Sequence, residues 1–197
     1  MIPAAQFMPT ISETGLGREI DCMTLQHAFG LLQKRSDLRL SINVSARSLA
    51  DGKWRDTLYR GLAAEGDLGD RLILEISEES AMQLHEVLIR FMAEVQPKGV
   101  AFALDGFGAG LTAFRHLKDF FFDLVKIDKS FIRNISTNPD NQVLAEALIM
   151  VAHQFEMFVV ADGIENEADV QWAIGQDVDC LQGYHIGVPK SSFETTT

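Results

Sequence analysis

Val100-Ala101-Phe102-Ala103-Leu104-Asp105-Gly106 is the stretch that decides the fold. An unbroken apolar run ends abruptly in a carboxylate and a glycine. So short a run, apolar on successive residues, is the pattern of a strand buried on both faces of a parallel sheet. Val100 to Leu104 is therefore read as a strand. Arg39 to Val44, Arg71 to Ser77, Leu124 to Ile127, Phe158 to Ala161 and Asp179 to Gly183 read the same way. Nearly every run closes on a polar or charged residue: Asn43, Glu75, Asp105, Lys126 with Asp128, Asp162 and Gln182.

The segments between these runs have helical spacing. Asp21 to Leu32 places Leu25, Ala28, Phe29 and Leu32 on one side. Ser48 to about Ala64, Glu79 to Val95, Leu111 to Leu117, Asp140 to Phe155 and Asn166 to Gly175 follow. Asn166 is an N-cap residue, and Glu167 and Asp169 put acids in the first turn, where the helix dipole favours them. Strand and helix in alternation imply an α/β fold with right-handed crossovers.

An open doubly wound sheet and a β/α barrel both satisfy that alternation. In a barrel the C-terminal ends of all strands converge on one mouth. In an open sheet only those beside a switch point converge. Polar residues on six strand ends favour the TIM-like (β/α) barrel. A closed eight-stranded barrel takes roughly 250 residues, whereas this chain has 197 and six strand runs. The barrel is expected to be incomplete, lacking its first strands, with open edges at the Asn43 strand and the Gln182 strand. Open edges invite association, so a homodimer, an unusual closure, or a chain cut from a longer protein is expected. Residues 1–190 read as a single domain and residues 191–197 as a flexible tail.

Apolar residues make up 47% and charged residues 23%, as in ordinary globular proteins. The net charge of -11 repels nucleic-acid phosphates and anionic membranes. No nucleic-acid partner and no membrane insertion are expected. The first residues, Met1 to Phe7, lack a basic stretch and a long apolar core, so they do not read as a signal peptide. A cytoplasmic location is expected. Cys22 and Cys180 form no CxxC pair and read as two buried, reduced thiols. The histidines, His27, His85, His116, His153 and His185, show no metal-ligand spacing along the chain and read as solvated or core residues.

Asn43, Glu75, Asp105 and Asp162 are hard oxygen donors, suited to Mg2+ or Mn2+ rather than zinc. Lys126 is placed to hold a phosphate or an activated water, which suits metal-assisted phosphodiester chemistry. Singly, each residue reads as a turn cap; their recurrence at equivalent places carries the argument. Gly106, Gly108 and Gly110 lack the Lys-Ser or Lys-Thr of a P-loop and read as loop flexibility, with Gly106 also a candidate turn glycine. Phe120-Phe121-Phe122 cannot easily all face one core, so at least one is expected at the surface as a contact residue; the alternative is that all three pack.

Ser41-Ile42-Asn43-Val44-Ser45-Ala46-Arg47 resembles the N-[LV]-S-A-R segment of EAL domains, and Leu74-Glu75-Ile76-Ser77-Glu78 their E-[IL]-T-E strand. Leu104-Asp105-Gly106-Phe107-Gly108-Ala109-Gly110 resembles D-D-F-G-T-G, and Val125-Lys126-Ile127-Asp128-Lys129-Ser130-Phe131 resembles L-K-I-D-R-S-F. Ala161-Asp162-Gly163-Ile164-Glu165 resembles A-E-G-V-E, and Leu181-Gln182-Gly183-Tyr184 with Pro189 resembles Q-G-Y-x-x-x-x-P. Pro3 to Pro9 and Ser12 to Leu16 resemble the stretch around the family's E-E-T-G-L.

That resemblance implies a barrel that linearises cyclic di-GMP with two Mg2+ or Mn2+ ions. It implies metal ligands at Asn43, Glu75, Asp105 and Asp162, and a base-related lysine at Lys126. Gln182 would lie near the catalytic water, and Glu78 would anchor the loop after Asp105. Asp105, Glu165, Gln182, Gly183 and Tyr184 would contact the nucleotide. The Phe120 to Phe122 region would lie near the surface through which EAL domains pair.

Three departures alter the expectation. The family's Glu-Ala-Leu segment, with a glutamate ligand and a nucleotide-holding arginine, lies before the stretch beginning here at Pro3 and is missing from that place. Gly106 stands where the family has a second aspartate. Asp162 is one methylene shorter than the family's glutamate, and metal ligation tolerates errors of only about 0.2 Å. Hydrolysis is therefore expected to be lost or very weak. The chain is expected to act as a regulatory module that binds a protein partner or senses cyclic di-GMP. The alternative is a weak metal-dependent cyclic di-GMP phosphodiesterase.

Overall fold

The computed structural model describes residues 11, 14–64, 67–110 and 114–190. In chain order the elements are α1 (Gly15–Lys34), β1 (Leu40–Asn43), α2 (Ala46–Leu49), α3 (Gly52–Leu62), β2 (Leu72–Ser77), α4 (Glu78–Gln83), α5 (His85–Val95) and β3 (Ala101–Phe107). Then come β4 (Leu124–Ile127), α6 (Lys129–Ile132), α7 (Pro139–Gln154), β5 (Phe158–Asp162), α8 (Glu167–Gly175) and β6 (Cys180–Gln182). The sheet order is β1-β2-β3-β4-β5-β6, following the chain. Among the described residues β1 and β6 therefore end the order, as expected. No described helix is long and apolar enough to cross a membrane.

The chain forms two compact units. In the first, which ends at Asp105 and resumes up to Leu124, β1, β2 and β3 pair in parallel. Asn43 lies opposite Glu75, Glu75 opposite Ala103, and Ser77 opposite Asp105. Side chains alternate across a strand, so Asn43, Glu75, Ala103 and Asp105 share one face. Ile42, Leu74, Ile76, Phe102 and Leu104 share the other and are all buried. Phe102 meets Phe91 of α5 edge-on at 5.8 Å, and Phe91 meets Trp54 of α3 at 5.9 Å. Below β4, Asp123 Oδ2 accepts from the Phe102 N–H at 2.8 Å and from Gln96 Nε2 at 3.2 Å.

β1 alternates, with Ile42 covered while Ser41 and Asn43 are exposed, and three readings of this unit need correction. The helix read from Ser48 to Ala64 is two. Asp51 takes an extended conformation and its Oδ1 accepts from the Trp54 N–H at 3.0 Å, starting α3 afresh. The helix read from Glu79 to Val95 breaks at Leu84, whose φ of -115° and ψ of 32° leave the helical region. The described part of Leu111 to Leu117 belongs to a 3-10 turn, Phe114–Asp119; residues 111–113 lie outside the described residues. Of the three phenylalanines, Phe120 and Phe122 are buried and Phe121 is exposed, as expected.

In the second unit β5 pairs in parallel with β6, Asp162 opposite Gln182. The buried side of α7 is Ala145, Leu148, Ile149 and Ala152. Asn166 caps α8, its Oδ1 accepting from the Asp169 N–H at 3.0 Å. Asp169, fully buried, accepts from Ser136 Oγ at 2.7 Å and from Asn166 Nδ2 at 2.7 Å. Asp179 repeats the Asp123 device: its Oδ2 accepts from the Val159 N–H at 2.8 Å. Cys180 is exposed, contrary to the reading of two buried thiols; it lies on the last strand, which has a neighbour on one side only. The tail 191–197, Pro3 to Pro9 and Ser12 to Glu13 lie outside the described residues.

Candidate functional site

In the first unit, oxygen donors collect at the C-terminal ends of β1, β2 and β3. Glu75 is only 8% exposed. Ser41 Oγ donates to its Oε1 at 2.5 Å, and such a charge-assisted bond fixes the carboxylate's direction. Asn43 lies opposite Glu75 in register, with an exposed position. The turn beyond it is held from α1: Asp21 Oδ2 accepts from the Ser45 N–H at 3.0 Å and from Ser48 Oγ at 2.6 Å. Asp105, half-buried, projects on the same face as Glu75. Ser77 caps α4, which places Glu78, 5% exposed, in the first helical turn. The helix dipole favours a carboxylate there.

Asn43, Glu75 and Asp105 fit one hard divalent cation in donor chemistry and in face. Gly106 sits at φ +75°, in the left-handed region that suits glycine. A Cβ there would lie 3.9 Å from Asp128 Oδ2. The turn-glycine reading of Gly106 is thus supported by its backbone.

In the second unit, Lys126 on β4 is 8% exposed, and its strand neighbours Val125 and Ile127 are fully buried. A buried ammonium persists only where its charge is met, and Lys126 has a partner. Asp128 caps α6, its Oδ1 accepting from the Ser130 N–H at 2.8 Å. At the ends of β5 and β6 lies a hollow of about 290 Å3 lined by Lys129, Arg133, Asp162, Glu165, Gln182 and Tyr184, among others. The Gln182 carbonyl accepts from the N–H groups of Gly163 at 2.9 Å and Ile164 at 3.0 Å. Gly183, at φ +154°, lets the chain pass over Ile164; a Cβ there would meet the Ile164 carbonyl oxygen at 2.1 Å. Arg133 pairs with Glu165 at 3.0 Å. Tyr184 is 64% exposed, so its ring face is open for stacking.

The structure thus groups Asn43, Glu75 and Asp105 in one unit and Asp162, Glu165, Gln182, Gly183 and Tyr184 in the other. The reading by residue type missed Lys129 and Arg133. Both follow closely on the capping residue Asp128 beyond β4, and that closeness to a strand end was the available signal.

The same strand ends recur in known proteins. Residues 1–189 match the EAL domain family. Cyclic di-GMP phosphodiesterase PdeF of Escherichia coli is 30% identical over 199 residues, covering 99% of this chain and 27% of that protein. A solved complex of the MucR phosphodiesterase with cyclic di-GMP is 26% identical, with a TM-score of 0.84 over 95% of this chain and 78% of that one. The FimX EAL domain of Xanthomonas citri, solved in complex with cyclic di-GMP, is 24% identical with a TM-score of 0.89, over 98% and 79%. This chain spans about a quarter of the length of the curated relatives it matches. Six strands in chain order have the TIM-like architecture of these domains, and the chain belongs to the EAL domain family.

Proposed function

We propose that this chain is a cyclic di-GMP-sensing module of the cytoplasm that binds the dinucleotide and hydrolyses it weakly or not at all. The observation that carries the proposal is the contrast between its strand ends. The hollow beside β5 and β6 keeps two cations, a glutamine and an open tyrosine ring. The step after Asp105 carries a glycine in a backbone conformation that suits glycine.

Lys129 and Arg133 supply positive charge for phosphate oxygens, Arg133 as a planar fork. The Tyr184 ring offers a stacking face for a guanine. Binding of cyclic di-GMP by the related MucR phosphodiesterase supports the ligand. Asn43, Glu75, Asp105 and Asp162 are the residues that would hold Mg2+ or Mn2+. The ion would polarise the phosphodiester and supply a nucleophile at neutral pH. Gly106 removes a carboxylate from that set, and Asp162 reaches one methylene less than glutamate. Glu78 would steady the loop after Asp105. Signal output then passes to a protein partner or through self-association, for which the exposed Phe121 offers an apolar contact.

Calorimetric titration of cyclic di-GMP in Ca2+ tests the reading; saturable binding supports it and absence of heat removes it. A second reading, a slow phosphodiesterase, draws on the buried Glu75 and Lys126. It requires Mn2+-dependent linear product that disappears in both Glu75→Ala and Lys126→Ala.

A further inference from the structure

A cluster outside the strand ends brings together residues that are far apart in the chain. The break at Leu84 makes His85 the first residue of α5. His116 and Asp119 lie on the 3-10 turn Phe114–Asp119, where residues three apart eclipse one another on one side. His85 Nε2 lies 3.5 Å from Asp119 Oδ2, and His116 Nδ1 lies 3.8 Å from the same oxygen. All three ligand atoms fall within 4.8 Å of one another. His85 Nε2 is sealed from solvent and makes no hydrogen bond. The His85 ring rests edge-on against Phe120 at 4.8 Å and against His116 at 5.3 Å.

We propose that His85, His116 and Asp119 form a binding site for a borderline transition-metal ion such as Zn2+. Two imidazole nitrogens and one carboxylate oxygen select Zn2+, Co2+ or Ni2+ over Mg2+. Zinc bonds of about 2.0–2.1 Å in a tetrahedron set ligand atoms roughly 3.3 Å apart. The two carboxylate–imidazole pairs are already near that value. Rotation of the two half-exposed rings closes the third. Water would complete the fourth position, and Phe120 supplies an apolar wall beside the His85 ring. The ion would clamp the 3-10 turn onto the start of α5. The site shares no residue with the oxygen donors of the strand ends.

The test uses the full chain, stripped with chelator and returned to chelator-free buffer. ZnCl2 is titrated in competition with a chromophoric chelator, while the imidazole C–H resonances are followed by NMR. One zinc is expected to bind at micromolar concentration or tighter, shifting His85 and His116 and leaving His27, His153 and His185 in place. His116→Ala and Asp119→Asn each weaken binding about tenfold or more, and Glu75→Gln leaves it unchanged. Circular dichroism without zinc checks that the variants fold, and the wild-type resonance shifts decide the matter if one does not. Co2+ should give visible d–d bands without a thiolate charge-transfer band. Binding no tighter than millimolar, shifts at other histidines, a thiolate band from Cys22 or Cys180, or undiminished affinity in His116→Ala would overturn the site.

Discussion

The strand ends of the two units carry different chemistry. In the first, Glu75 is buried and oriented by Ser41, and Asn43 sits in register beside it. Their neighbour Asp105 is followed by a glycine at φ +75°. In the second, Asp162 joins Gln182, Gly183, Arg133 and Tyr184 around a hollow of about 290 Å3. Holding two cations requires several carboxylates at once. Holding a phosphate requires only one or two well-placed cations and donors. On the proposed reading, having one carboxylate fewer weakens catalysis more than recognition.

The largest effect is expected at Gly183. A Cβ there meets both the carbonyl oxygen and the nitrogen of Ile164 at 2.4 Å or less. Gly183→Val should destabilise the protein by about 3 kcal/mol in urea unfolding and abolish nucleotide binding; a wild-type midpoint would break the account of this turn. Next, Arg133→Ala and Lys129→Ala should each weaken cyclic di-GMP about tenfold in calorimetry, as loss of a charge-assisted hydrogen bond does. No change in either would move the ligand out of the hollow.

Gly106→Asp sharpens the first half of the contrast. It should cost about 1 kcal/mol, because a side chain is strained at this φ. It should leave turnover unrestored on its own, as measured by chromatography of the linear product. Strong turnover would show that one carboxylate alone separates this chain from an active enzyme. The smallest effect is chemical. Burial first, and then Asp51, push the Cys22 thiol above its usual range, whereas Cys180 is exposed. A maleimide at neutral pH should label one thiol in the native protein and two in denaturant.

Much of this was legible in the sequence. The six runs match the six strands to within a few residues, most plainly in the central strands β2 to β4, which are mostly buried and therefore mostly apolar. β3 extends further than Leu104, since the alternation continues through Gly106 to Phe107. The helices were harder. Asp51 and Leu84 break patterns whose periodicity continues across them, and only the cap geometry of Asp51 and the dihedrals of Leu84 expose the breaks. The ligand-type residues could be read because each ends a strand. Arg133 and Lys129 were passed over because they lie beyond the strand, Lys129 opening a four-residue helix and Arg133 following it in an extended conformation. The histidine cluster was invisible along the chain: His85 and His116 come from separate elements and meet only in the fold.

Sensing without hydrolysis is the central claim. A calorimetric titration of cyclic di-GMP into the full chain in Mn2+ tests it most directly, because the same cell reports both binding and turnover. The account predicts a saturable isotherm that returns to baseline after each injection, with the dinucleotide recovered intact. A sustained heat signal with linear product, lost in Glu75→Ala, would contradict it.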